Sequence, residues 1–478
     1  MTEPAEIVIT CGYLGGNVKV NRLSPGLAII ESDLRDTPST WFYWNFEAEA
    51  RTPGYVEFHF PLGHQWISAQ GPCVSTDGGK SWRWAGRDSC SFCDSDPANR
   101  HDSFVWEFHR GGEKIRFAQG FPYQLSNFET FLRENLANPH LRSGILTTTR
   151  EGRDCPILTI GSGARRMLLT CRHHACEATA SHVMEGFLAE AAAENETAAV
   201  FRRTYTLTAV PFMDLDGVED GDQGKGRSPH DHNRDYGLRE HVYPEVAAVE
   251  ELHLRNHFFL ALDLHDPAVR SDDCLYPEVP QIQAHEHFYF NGWRSPENEA
   301  NTEELIRWLA EELPPPCRDV YYFGFKTPPV SDDTTGLPFS YYFGADPAVT
   351  YGSTLEIPYA NQALEYDSAM MRDAGRAILH ALMLFEICRD ASSRTEHRLY
   401  KAFVEKLRHS PPETAEQIIA DSKTSGLYRA EAHLHLARLG RDPSRHAAAV
   451  LAEPDATLRA KEAASLLTGS CSLTSRFS

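Results

Sequence analysis

The sequence predicts an α/β protein: a mixed-sheet α/β/α domain preceded by an antiparallel β-sandwich and followed by a small helical region. Three changes of texture along the chain predict it. Residues 1–122 hold short alternating or aromatic-rich runs, among them LAIIESDL, TWFYWNFEAEA, GYVEFHFPL and SFVWEFHR, broken by turns such as STDGGKSW. Short strands at this spacing favour a sandwich. In residues 123–392 strands and helices alternate, the pattern of a sheet covered by helices. Residues 393–478 carry short amphipathic helices (AEQIIADSKTS, AEAHLHLARLG and KEAASLLTG) with no strand between them.

The middle region is read in order. SNFETFLREN starts a helix, with Ser126 as N-cap and Glu129 completing a capping box. LRSGILTTTRE, CPILTIG and RRMLLTC read as strands, and ASHVMEGFLAEAAAE as a helix. The strands RRTYTLTAVPF and HFFLALDLH follow, then the helix TEELIRWLAEEL. The strand YGSTLEIPY and a long helix through NQALEYDSAMMRDAGRAILHALMLFEICRD close the region.

At 478 residues and 41% hydrophobic content, the chain is long enough for two or three domains. Lys+Arg total 46 against 67 Asp+Glu, a net charge of −21. So acidic a surface argues against nucleic acid or an anionic membrane as partner. The opening MTEPAEIVITCGY lacks a basic segment followed by a long apolar one, and no apolar run approaches ~20 residues. A cytoplasmic setting with reduced thiols is expected. Of eleven cysteines, Cys90 and Cys93 form the one C-x-x-C, a weak zinc signal without a second pair. A homo-oligomer is left open.

The most informative stretch is MLLTCRHHACEATASHVMEGFL. A strand (residues 167–170) runs into a turn bearing His173, His174 and Glu177, and a helix follows. His174 and Glu177 stand in H-x-x-E spacing, which lets an imidazole and a carboxylate converge on one ion, a donor set suited to zinc. His182 and Glu185 repeat the spacing inside the helix pattern, beside core-facing Met184 and Phe187, and read as packing. The first copy sits where open α/β sheets place ligands, at a strand's C-terminal edge. HFFLALDLHDP offers His265 where a second apolar strand stops; taken alone, His265 is equally a buried histidine satisfied by backbone. TLEIPY puts Glu356 in an apolar strand, as a general base for a metal-activated water or as an edge-strand residue facing solvent.

These four residues, in this order, resemble the zinc metallocarboxypeptidase family, closest to its cytosolic, deglutamylase-like branch. The resemblance spans roughly residues 5–390. The branch's H-P-G-E turn and W-V-M-x-G-F-L helix stand here as His174-Ala-Cys-Glu177 and His182-Val-Met-Glu-Gly-Phe-Leu188. Its P-M-x-N-P-D-G-V and R-D-L-N-R-N-Y stand as Pro211-Phe-Met-Asp-Leu-Asp-Gly-Val218 and His230-Asp-His-Asn-Arg-Asp-Tyr236. Its L-D-x-H and T-L-E strands match at His265 and Glu356, and FPYQLSNFETFL resembles its Y-P-Y-T-Y-S text.

The resemblance implies one Zn²⁺ per chain, held by His174, Glu177 and His265, with Glu356 as base. Asn233 and Arg234 would grip the free carboxylate of a peptide or amide substrate, a task suited to the planar guanidinium. Tyr341 or Tyr342 would line the pocket. The implied activity is hydrolysis of C-terminal peptide or isopeptide bonds. The family's oxyanion arginine aligns with Gly224, followed by Lys225 and Arg227; either cation would substitute, Arg227 being favoured because it keeps its charge when buried. That departure keeps two alternatives in view: an amidase or deacylase acting on a small molecule or cell-wall peptide, and a zinc-binding scaffold without turnover.

Overall fold

The structure is a computed structural model that describes residues 3–38, 41–61, 67–68, 70–91, 102–267, 287–293, 295–313, 317–325, 335–359, 366–387, 403–404, 406–424 and 426–453, with 456, 460, 463–464 and 467 beyond. The chain divides into two compact units, Met1–Arg376 and Ala377–Ser478.

The first part of the larger unit is two five-stranded sheets. One orders its strands β1 (Ile7–Thr10), β4 (Asn45–Ala50), β10 (Lys114–Ala118), β6 (Cys73–Ser75) and β7 (Arg83–Trp84). The other runs β2 (Lys19–Ser24), β3 (Leu27–Glu31), β5 (Gly54–His59), β9 (Ser103–Phe108) and β8 (Cys90–Ser91). Period-two burial on β4 and β5 turns Phe46, Ala48, Val56 and Phe58 inward. Across the gap Phe58 meets Phe46 at 5.5 Å and Phe117 at 5.0 Å between ring centroids, which joins the sheets into a sandwich. Its pairs are antiparallel except β3 with β5, which runs parallel. Cys90 is a buried thiol, as every described cysteine is free; Cys93 lies outside the described residues.

Next comes an eight-stranded mixed sheet, ordered β11 (Leu141–Thr148), β12 (Asp154–Gly161), β14 (Tyr205–Val210), β13 (Arg165–Cys171), β15 (Leu260–His265), β18 (Tyr351–Glu356), β16 (Tyr289–Trp293) and β17 (Tyr321–Phe325). Its centre, β14-β13-β15-β18, is parallel. Residues 167–171 of β13 and all of β15 are buried because helices cover them. The register pairs Cys171 with Leu264 and His265 with Glu356, so three strands end side by side.

Several boundaries differ from the sequence reading. Helix α1 is Leu125–Glu134, capped by Gln124 with Asn127 as the reciprocal partner, not by Ser126 with Glu129. Residues 202–204, read as strand, finish helix α3 (Glu196–Thr204), since Asn195 caps that helix by accepting from the Ala198 N–H. Helix α2 is Ala178–Ala191, α4 Leu215–Asp220, α5 Pro244–Asn256, α6 Pro296–Glu312, α7 Phe339–Ala345 and α8 Ser368–Ile387. Residues 388–402, where the long helix was expected to end and the third region to begin, lie outside the described residues.

In the smaller unit, helices Pro412–Ala420, Gly426–Arg438 and Pro443–Ala452 pack through Leu407, Ala415, Ala432 and Leu436 and through Ala430, Leu434, Ala447 and Val450. Among the described residues no helix is long and apolar enough to cross a membrane.

Candidate metal centre

Strand β13 ends in a tight turn. Arg172 sits at φ 61, left-handed backbone that a side chain rarely adopts, and is almost wholly buried. Its guanidinium donates to Ala175 O (3.2 Å), Tyr123 O (2.9 Å) and Ser181 Oγ (3.0 Å). These bonds hold the turn closed, and Glu177 then stands at the N-cap of α2.

The turn brings His174 Nδ1 to 2.7 Å from Glu177 Oε1, while His265, from the end of β15, puts Nδ1 2.8 Å from Glu177 Oε2. All three side chains are buried, and their donor atoms lie within 4.8 Å of one another. Glu177 Oε2 makes no hydrogen bond, so its near approach to His265 is convergence on a shared point. Burial alone would raise the Glu177 carboxyl, but the two imidazoles hold it below the usual range. Two nitrogens and a carboxylate that meet out of water are the donor set of a zinc site with a position left open, so the residues present fit the ion.

His173, Asp263 and His265 form a second cluster of similar size. There His173 spends both ring nitrogens, Nδ1 on Asp263 Oδ1 (2.9 Å) and Nε2 on Tyr236 Oη (2.7 Å). It has no lone pair to offer. Asp263 Oδ2 instead meets His265 Nε2 at 2.5 Å, which fixes the ring with Nδ1 toward Glu177. On the other side Asp231 Oδ2 lies 3.7 Å from His174 Nε2, near enough for charge attraction but not for a hydrogen bond. Asp266 accepts from the Thr179 N–H (2.7 Å) and ties the end of β15 to the start of α2. Sequence reasoning missed all three aspartates. Asp263 had a signal: two residues before His265 on a strand, it shares that side chain's face.

Glu356 ends β18 beside His265 and is partly open to solvent. Its Oε2 is buried with no hydrogen-bond partner. Burial, with the Glu177 charge adding to it against His265 and Lys225, pushes its carboxyl up to about 7.

The remaining expected residues lie around this cluster. Asn233 Oδ1 accepts from the Phe339 N–H (2.8 Å), and Arg234 Nη1 donates to Asn233 O (2.8 Å), so their loop is pinned to α7. On that helix Tyr341 meets Trp293 (4.9 Å between ring centroids), while Tyr342 packs on Tyr236 (5.5 Å). Arg227 commits Nε to Asp36 (3.0 Å), Nη1 to Asp214 (2.7 Å) and Nη2 to Asp222 (2.8 Å). With each nitrogen engaged by a carboxylate, this guanidinium is less available to a substrate than the reading that favoured it over Lys225 expects. Gly224 has φ +78, and a Cβ there would meet Ala175 N at 2.2 Å, so no arginine fits at this position. Lys225 is half-buried, its Nζ 5.4 Å from the centre of the Trp41 ring.

A buried His/Glu/His cluster that could hold a metal ion thus stands at the C-terminal edge of the parallel strands. The profile described as zinc carboxypeptidase matches residues 131–277, so over that stretch the chain is similar to zinc carboxypeptidases. Among curated relatives, cytosolic carboxypeptidase 6 of Caenorhabditis elegans is 24% identical over 290 residues, 56% of this chain and 63% of its own length. Cytosolic carboxypeptidase 1 of Homo sapiens is 29% identical over 153 residues, 28% of this chain and 12% of its own. The chain thus spans less than two thirds of these relatives. A metallo-carboxypeptidase from Burkholderia cenocepacia shares the fold with a TM-score of 0.63 at 17% identity, over 80% of this chain and 100% of its own. One from Pseudomonas aeruginosa, solved with (2-guanidinoethylmercapto)succinic acid, gives 0.61 at 19% identity, over 79% of this chain and 98% of its own.

Proposed function

We propose that the chain is a zinc-dependent hydrolase of C-terminal amide bonds, peptide or isopeptide, in substrates with a free carboxylate. The observation that carries it is the meeting of His174, Glu177 and His265 with Glu356 at the ends of adjacent strands. Zinc held by the first three would polarise the scissile carbonyl and acidify a water. Glu356 takes the proton from the attacking water and returns it to the leaving amine as the C–N bond breaks. Arg234 and the Asn233 side-chain N–H hold the substrate's terminal carboxylate, which selects the bond to be cut. Lys225 stabilises the oxyanion, because Arg227 is spent on three carboxylates. A cytoplasmic setting fits the names of the relatives.

The loop from Gly224 to Asp231 favours one further reading, an amidase or deacylase of small acylated molecules, since a substrate would meet a lysine here in place of an arginine. Peptides ending in Glu, Lys or an apolar residue, run beside N-acyl amino acids, separate the two. The hydrolase assignment itself is tested by Glu356→Gln. Turnover should fall by a factor of about 10³ or more with zinc retained at one per chain; unchanged turnover would overturn it.

A further inference from the structure

We propose that the sandwich is a working part of the site, with Asp36 and Trp41 as positioning residues that hold Lys225 in place. This rests on the reading of Lys225 as the oxyanion cation.

The segment that carries Lys225 has little stiffness of its own. Gly221, Gly224 and Gly226 all sit at positive φ (76, 78 and 63), and a lysine side chain has four rotatable carbons. Local bonds hold its backbone and Arg227 rather than the ammonium: Gly226 N–H to Asp231 Oδ2 (2.9 Å), and Arg227 to Asp222 (2.8 Å) and Asp214 (2.7 Å). Further ties come from far away in sequence. The Asp36 carboxylate accepts from the Gln223 N–H (3.0 Å), the Gly224 N–H (2.7 Å) and Arg227 Nε (3.0 Å). The Gln223 side chain bonds Tyr43 at both N (2.8 Å) and O (2.9 Å). Asn17 Nδ2 donates to Gly221 O (2.8 Å). On its other side the loop accepts from the metal turn, Cys176 N–H to Gln223 O at 3.1 Å. Its backbone is therefore held between the sandwich and the turn that bears His174 and Glu177.

Trp41 extends the same control to the side chain. Its indole N–H donates to Cys176 Sγ (2.9 Å), which keys the ring to the metal turn. The Lys225 ammonium lies over that ring at 5.4 Å. A cation over an indole face gains a factor of about 3 to 30 in occupancy of that position. Asp36 thus sets where the loop runs, and Trp41 sets where the ammonium rests relative to the metal ligands. Neither residue touches the substrate.

Two measurements on the full chain test this. In the metal-free protein, acetylation of Lys225 by acetic anhydride is followed by mass spectrometry against the other lysines. Trp41→Leu and Asp36→Asn should speed it about fivefold, and Trp41→Phe, which keeps an aromatic face, less than about twofold. Equal rates in wild type and Trp41→Leu overturn the proposal. In the zinc-loaded protein, an N-acylated dipeptide with a free carboxylate is the substrate. Trp41→Leu should lower kcat about tenfold with KM little changed, Trp41→Phe should restore most of it, and zinc should stay at one per chain. In a Lys225→Met background, Trp41→Leu should have no further effect. If Trp41→Leu lowers kcat by the same factor in both backgrounds, or not at all in either, the positioning role falls while the Lys225 reading stands. If Lys225→Met alone leaves kcat unchanged, the Lys225 reading falls and the positioning proposal with it.

Discussion

The metal turn and the loop at 221–227 meet at one hydrogen bond, Cys176 N–H to Gln223 O, yet they are built by different means. The turn is a product of the sheet. Its ligands extend from strand ends whose register is set by backbone ladders, and Asp263 and Asp231 stand behind them. The loop is glycine-rich and takes its shape from side chains of the sandwich. Charge is mixed on the metal side: imidazoles hold the Glu177 and Asp263 carboxyls below the usual range, while burial pushes Glu356 and Asp266 up. On the loop side burial pushes Asp222 up to about 7 and, at the start of α5, Glu245 up to about 8. The loop side holds a single arginine among three acids.

The largest test of that comparison removes the centre of the metal side. Glu177→Ala should bring zinc from one per chain to near none and abolish turnover, measured by elemental analysis after dialysis. Retained zinc would mean that the His173, Asp263 and His265 cluster is the site instead. Asp263→Asn is a finer cut. It leaves every proposed ligand in place but loosens the His265 ring, so zinc affinity should drop about 10- to 100-fold in a chelator competition. No change would reduce Asp263 to a structural partner of Thr170, whose hydroxyl donates to it at 2.7 Å.

The division also accounts for what could be read from the sequence. Strand ends carry their information locally. RRMLLTC and HFFLALDLH announce strands of a mixed sheet, and a ligand spaced three from another is visible without any partner. The fold class and the His174–Glu177 pair were legible for that reason, whereas His265 and Glu356 stayed open until the family resemblance joined them to the pair. The helix α3, its Asn195 cap and the early start of α6 were not, because short polar runs such as ENET and SPENEANTEE carry little periodicity. The loop was least legible. Asp36 stands 187 residues before Gln223, and Asn17 stands 204 before Gly221, and composition or period encodes no such pairing. Arg227 was favoured for keeping its charge when buried; it does, but among three carboxylates that only the fold brings together.

Gly224→Ala probes the loop side directly. The new methyl would press on Ala175 N in a left-handed conformation, and it would push the loop off the metal turn. A loss of about 1 to 3 kcal/mol is expected, read as a lower melting temperature, with turnover reduced more than zinc content. If both fell together, loop and turn would form one unit and the comparison would fail.

The smallest effect concerns pH. Glu245 opens α5, where the helix N-terminus favours a charged carboxyl. Burial and the charges of Asp214 and Asp216 nevertheless push it up to about 8 from an ordinary 4.5. A carboxyl raised on folding binds its proton more tightly in the native state than in the unfolded chain. Its penalty is absent below about pH 4.5, grows as pH rises towards 8, and is constant above that. Wild-type urea midpoints should therefore fall between pH 4.5 and 8.5 by more than those of Glu245→Gln, which keeps the shape and cannot ionise. Asp222 titrates in both proteins and cancels from the difference. Parallel curves would show that Glu245 keeps its charge in the fold.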